Sequence, residues 1–144
     1  MVALSETRAA NAALVTSQPL VAVFIGATSG IGEYTVKALA STHGKNGKGL
    51  RAYIIGRNQK AAEETIAECL TSCPNGEFIF LPANDLSLLK DVDEVSAEIT
   101  KQEQERSQRK GDVARTDILV MTQAFFNPFE GRLGSDAYLG RIND

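Results

Sequence analysis

The sequence predicts an open α/β fold, a doubly wound parallel sheet with helices on both faces, and three observations carry that expectation. Short continuous apolar runs alternate with helical patterns along most of the chain. A glycine-rich turn stands between the first such run and the helix that follows it. The composition is that of a single globular domain: 144 residues, 43% hydrophobic and 23% charged, with 15 Lys+Arg against 18 Asp+Glu for a formal charge of −3. A chain of this length buries roughly 70% of its unfolded surface, enough for a core without disulfides.

The elements are read in order. Residues 4 to 16, Ala-rich, suit a short helix or an ordered arm ending before Pro19. Val21 to Ile25 is a continuous apolar run, as expected of a strand buried on both faces. From Gly32, the positions Val36, Leu39, Ala40 and His43 mark one face of a helix that stops near Gly44. Ala52 to Ile55 is a second strand, after which Asn58 caps a helix whose inward face reads Ala62, Ile66, Cys69, Leu70 and Cys73. That spacing buries both thiols. Pro74-Asn75-Gly76 is a turn and Phe78 to Leu81 a third strand. Ser87 is the expected cap of a helix with Leu88, Val92, Val95 and Ile99 inward, whose far end, Lys101 to Lys110, is mixed in charge and reads as a solvated helix end. Asp117 to Thr122 is a fourth strand, followed by Phe125, Phe126 and Phe129, which suit either a pocket lining or the packing of a loop.

Strands separated by helices pair in parallel with right-handed crossovers. The expected division is an arm over 1–19, a nucleotide-binding unit over 20–124 and an irregular tail over 125–144. Several function classes are excluded by what the sequence lacks. A slightly acidic chain without a basic stripe is not a nucleic-acid binder. With His43 as the single histidine, a two-histidine zinc site is impossible; His43 itself suits a helix end, capping carbonyls or packing. Cys69 and Cys73 have no second pair with which to hold a metal and read as buried reduced thiols. No stretch has the length and apolarity of a membrane span or a secretory leader, so a cytoplasmic setting is expected.

Ligands of open parallel sheets bind at the carboxyl ends of the strands. There the sequence places Gly26-Ala27-Thr28-Ser29-Gly30-Ile31-Gly32. Glycines in such a turn supply positive φ and let the backbone approach a phosphate, while the next helix aims its free N–H groups and positive dipole end at the anion. Thr28 and Ser29 add hydroxyl donors. The more familiar G-x-G-x-x-G spacing is not met, because Thr35 stands at its third glycine. Nor is there an acidic residue about 20 positions on to take a ribose 2′-hydroxyl: between Glu33 and Glu63 stand only the bases Lys37, Lys45, Lys48, Arg51, Arg57 and Lys60. Arg57, just past the second strand, suits a forked contact with a 2′-phosphate, which favours NADPH over NADH; the alternative is a solvated surface arginine.

Taken together these residues resemble the short-chain dehydrogenase/reductase family, whose cofactor turn has the G-x-x-x-G-x-G spacing of Gly26, Gly30 and Gly32. The resemblance covers roughly residues 20 to 122, and includes Gly56-Arg57-Asn58 after the second strand and Asp-Ile-Leu-Val at 117 to 120. It implies a Rossmann-like sheet in the order 3-2-1-4, an adenine contact at Asp85 and Leu86, and hydride transfer between NADP(H) and a carbonyl or alcohol. It is similar in flavour to fungal members associated with secondary metabolism. Two departures stand out. Met121-Thr122-Gln123-Ala124 replaces the family's Asn-Asn-Ala-Gly, and no tyrosine has a lysine four residues on: Tyr34, Tyr53 and Tyr138 are followed there by Ala38, Arg57 and Ile142. The resemblance therefore implies a sheet truncated after its fourth strand, by an early stop, an altered exon boundary or a deliberate truncation. The open edge of that strand invites association, including a homo-oligomer, and the alternative function is a non-catalytic nucleotide-binding or interaction protein.

Overall fold

The computed structural model describes residues 2–111 and 113–122. Eight elements follow in the order α1 (Leu4–Ser17), β1 (Leu20–Ile25), α2 (Gly30–His43), β2 (Leu50–Gly56), α3 (Gln59–Ser72), β3 (Glu77–Pro82), α4 (Leu89–Lys110) and β4 (Ile118–Met121). All pairings are parallel, and the strand order is β3-β2-β1-β4. The alternation predicted from the sequence thus gives a four-stranded Rossmann-like sheet, with its expected order. Phe125, Phe126, Phe129, Tyr138 and the tail over 125–144 lie outside the described residues.

Side-chain alternation divides the core in two. Leu20, Ala22 and Phe24 of β1 point with Leu50, Ala52 and Ile54 of β2 to one face, where Val15, Val36, Ala40, Ala62, Cys69 and Cys73 of the helices cover them. Val21, Val23, Tyr53, Ile55 and Leu81 point to the other, against Val95 and Ile99 of α4. A central strand buried on both faces must be apolar at every position, which is why β1 reads as an unbroken run. Val15, near the carboxyl end of α1, joins the first core, while the other residues of α1 are exposed.

Several helix positions differ from expectation. On α3, Thr65 is buried and Leu70 is 40% exposed, so the inward face runs through 62, 65, 66, 69 and 73. Ser87 does not cap α4: that helix starts one residue later, with Leu88 at its N-cap, and the Ser87 hydroxyl donates to Asp85 Oδ1 at 2.7 Å. Leu88 and Val92 are exposed while Val95 and Ile99 pack inward. His43 is buried, its Nε2 accepting the Gly49 N–H at 3.1 Å and its Nδ1 lying 3.3 Å from Cys73 Sγ. It holds the α2–β2 loop; a side chain on Gly47 would run into its ring. Burial pushes the Cys69 thiol up to about 11 and raises that of Cys73, so both resist ionisation. No helix among the described residues is long and apolar enough to cross a membrane, and no group of three or more His, Cys, Asp or Glu among them could hold a metal ion.

The largest correction concerns the polar end of α4. Glu103 is only 5% exposed. Its carboxylate accepts a forked pair from Arg51, Nε at 2.5 Å and the terminal nitrogen at 2.7 Å, and a third bond from the Tyr53 hydroxyl at 2.7 Å. Arg106 reaches Glu77 on β3. Steps of four from Val95 through Ile99 lead to Glu103, so the carboxylate continues the helix's inward stripe and lands on the sheet. Burial alone would push the Glu103 carboxyl up; the Arg51 and Tyr53 bonds outweigh it and hold it below the ordinary carboxylate range. Burial and the bond to Glu103 together raise the Tyr53 phenol.

Because its folded-state pKa is depressed, Glu103 contributes stability above its unfolded pKa, and that contribution disappears as pH falls through the folded value. Urea melts should show Glu103→Ala less stable than the parent near neutrality by about 3 kcal/mol, the cost typical of stripping one partner from a buried ion pair. The gap should narrow as the medium is acidified below the ordinary carboxylate range. A gap that stays constant with pH would show that the carboxylate's charge is not what matters.

Candidate functional site

The in-register parallel sheet brings the carboxyl ends of all four strands into one row. Ile25 stands opposite Ile55 on one side and Met121 on the other, and Gly56 stands opposite Pro82. Main-chain bonds lace the loops that leave this row: Gly26 N–H donates to Ile55 O at 2.9 Å, Ala83 N–H to Gly56 O at 3.0 Å, and Thr122 N–H to Ile25 O at 2.9 Å. The glycine turn sits at the centre of the row, between β1 and α2.

Within the turn each glycine has a different task. Gly26 has φ 82° and Gly30 φ 57°, the left-handed region where a side chain is strained. A methyl group built on Gly30 meets nothing within 4 Å, so conformation and not crowding requires glycine there. Gly32 is the reverse: a methyl group on it would lie 2.5 Å from Thr122 Oγ1, 2.6 Å from Gly26 O and 2.8 Å from Ala27 Cα. Its role is to let α2 pack against the strand ends.

Since α2 begins at Gly30, the N–H groups of its first turn have no partner inside the helix and point out of its amino end with the positive end of its dipole. Ser29, at the N-cap, makes no side-chain cap bond, and Ile31 is 76% exposed. Thr28 lies on the β2 side of the turn. Its side chain rests on β2, where a methyl group on Gly56 would come within 2.5 Å of Thr28 Cγ2 and 2.8 Å of its hydroxyl. Gly56 is therefore glycine to admit Thr28.

The basic stretch singled out in the sequence divides into committed and uncommitted charges. Lys37 bridges Glu33 and Glu68, both at 2.6 Å, tying α2 to α3; those two carboxylates, outweighing the cost of desolvation, raise its pKa. Arg51 is held by Glu103 at the opposite end of β2. Arg57, exposed just past Gly56, has no hydrogen bond or ion pair among the described residues. Asn58 caps α3, its Oδ1 accepting the Ala61 N–H at 3.1 Å, which leaves its amide nitrogen as the group able to meet a ligand. Asp85 Oδ1 accepts from the Ser87 N–H and hydroxyl, and the Asp85 N–H donates to Asp91. Leu86 packs against the second core. The Asp85–Leu86 loop is thus a tight structure of its own, one loop away from β2 through the Ala83–Gly56 bond.

Sequence reasoning missed one contributor. The Thr122 hydroxyl shares its one hydrogen between Ile25 O, at 3.1 Å, and Gly26 O, at 3.3 Å, joining the end of β4 to the turn. The signal was a hydroxyl residue directly after the fourth strand, at a position noted only for what it replaces.

Thermal melts should separate the two glycines. Gly32→Ala should lower stability by about 3 kcal/mol through overpacking, whereas Gly30→Ala should cost about 1 kcal/mol of backbone strain. Equal losses would mean that the close approach of α2 to Thr122 is not a constraint.

Comparisons with known proteins bear on the same region. No family model matches the chain. It is 45% identical over 124 residues to the short-chain dehydrogenase/reductase SAT2 of Stachybotrys chartarum, an alignment covering 86% of this chain and 35% of that protein. Among solved structures, it is similar to LugOII, a reductase described as catalysing a keto-reduction in lugdunomycin biosynthesis, with a TM-score of 0.57 and 25% identity over 77% of this chain and 41% of the other. It shares its fold with YwfH, described as an NADPH-dependent reductase involved in bacilysin biosynthesis, with a TM-score of 0.52 and 22% identity over 74% and 35% of the two chains. The chain spans about a third of the length of the curated relatives it matches. With that identity, its G-x-x-x-G-x-G turn and its β3-β2-β1-β4 sheet, the chain belongs to the short-chain dehydrogenase/reductase family.

Proposed function

We propose that the chain is the NADPH-binding portion of an oxidoreductase that passes a hydride between the cofactor and a carbonyl or alcohol of a small molecule, in secondary-metabolite biosynthesis. The observation that carries this reading is the amino end of α2. There Gly30 faces space that even a methyl group would not crowd and the first-turn amides have no partner inside the helix, while Arg57, just past the end of β2 on the same rim, has no partner among the described residues. An anionic pyrophosphate suits such a place because amides and dipole act on it together. The main chain from Gly26 to Gly32 would hold the pyrophosphate, with the Ser29 hydroxyl alongside. Arg57 would fork onto the 2′-phosphate with the Asn58 amide beside it, and Asp85 and Leu86 would border the adenine. Bound NADPH would supply the hydride.

Support for the substrate class comes from LugOII, described as catalysing a keto-reduction during lugdunomycin biosynthesis. A second reading is a nucleotide-binding or interaction protein without catalysis. It is favoured by Leu119 and Met121 on β4, 58% and 59% exposed at the sheet edge among the described residues. Such an edge suits pairing with another chain.

Calorimetric titration with both nicotinamide dinucleotides tests the reading. The chain should bind NADPH more tightly than NADH, and Arg57→Ala should weaken NADPH by about tenfold or more, as expected for a lost charge-assisted contact, while leaving NADH unchanged. Equal loss for both dinucleotides would remove the 2′-phosphate assignment, and no heat with either would remove the cofactor. Binding without NADPH consumption across a panel of ketones would favour the second reading.

A further inference from the structure

We propose that Thr122 is a positioning residue for the glycine turn: its hydroxyl sets the direction of the Gly26 peptide and so the aim of the amides that follow. The proposal rests on the NADPH reading above for its consequence in affinity, and on geometry alone for its consequence in the turn.

Three elements converge on this side chain. Its one hydroxyl hydrogen is shared between Ile25 O, 3.1 Å from Oγ1, and Gly26 O, at 3.3 Å, and the Thr122 N–H also serves Ile25 O, at 2.9 Å. The same oxygen stands where a methyl group on Gly32 would fall, so it fills the gap between the end of β4 and the first turn of α2. A peptide unit is planar, so whatever fixes the Gly26 carbonyl also fixes the Ala27 N–H on the opposite side of that plane. That N–H meets Ile55 O at 3.4 Å, so the peptide plane is held from its two sides by two long bonds, neither of which fixes it alone. Gly26 itself, at φ 82°, has the conformational freedom that makes an external anchor useful. On the other flank, Thr28 seated on Gly56 holds the turn to β2. The turn is therefore clamped from both neighbouring strands, by a hydroxyl bond on the β4 side and by packing on the β2 side.

Thr122→Val keeps the shape of the side chain and removes the donor, and Thr122→Ser keeps the donor. On the 144-residue chain, amide exchange at Ala27 and calorimetric titration with NADPH are read for both variants beside thermal unfolding. Thr122→Val should exchange at Ala27 at least about tenfold faster, beyond any change shared by the whole protein, and bind NADPH about tenfold more weakly, while Thr122→Ser stays within about threefold of the parent on both counts. A parent that takes up no NADPH overturns the cofactor reading, and the exchange measurement then decides the positioning role by itself. A parent that binds, with a valine variant that binds as tightly and exchanges as slowly, overturns the positioning role and leaves the cofactor reading standing. Should the valine variant fail to fold, the serine variant decides: a folded serine protein weakened tenfold or more shows that the hydroxyl is not the operative group.

Discussion

Parallel pairing of β1 with β2 on one side and β4 on the other is the constraint from which the candidate site follows. Since a parallel ladder runs all strands the same way, their carboxyl ends arrive together, and every loop that leaves them does so on one rim. Burial on both faces then forces β1 to be apolar throughout, so it can contribute no polar side chain to that rim. Whatever β1 offers at its end must come from the main chain, and the glycine turn is the form that offer takes.

Side chains around the turn serve mainly to hold it. Thr28 leans on Gly56, Thr122 bonds the Gly26 carbonyl, and Gly32 is bare so that the helix can close on both. Charge follows the same division. Lys37 and Arg51 stand within the basic stretch of sequence but are consumed by Glu33, Glu68 and Glu103 in joining helices to one another and to the sheet. Proximity in sequence thus overstated the positive charge at the rim, where Arg57 stands just past the end of β2.

How far the sequence could be read depended on whether the signal was local. The Asn58 cap, the Gly44 stop and the apolar runs of β1 and β2 are set by neighbours a few residues away, and each was legible. The sheet order and the site's position followed from the family spacing of Gly26, Gly30 and Gly32. Glu103 was illegible for a physical reason: a carboxylate defaults to solvent unless a specific partner meets it, and Arg51 and Tyr53 lie about fifty positions earlier. Thr65 replaced Leu70 inside α3 because helix rotation against the sheet, which no single helix encodes, decides which edge of an amphipathic stripe is covered. Ser87 was mistaken for a cap because Asp85, two residues before it, competes for the same hydroxyl.

The ion cluster of Glu103 has a mechanical side. It fastens α4 near its carboxyl end, whereas the amino end leaves Leu88, Leu89 and Val92 in solvent and touches the rim through the short Asp85 loop. Val95 and Ile99 pin the middle of the helix to the sheet, so the stretch from Leu88 to Val92 beside the candidate site has fewer anchors than the rest of α4.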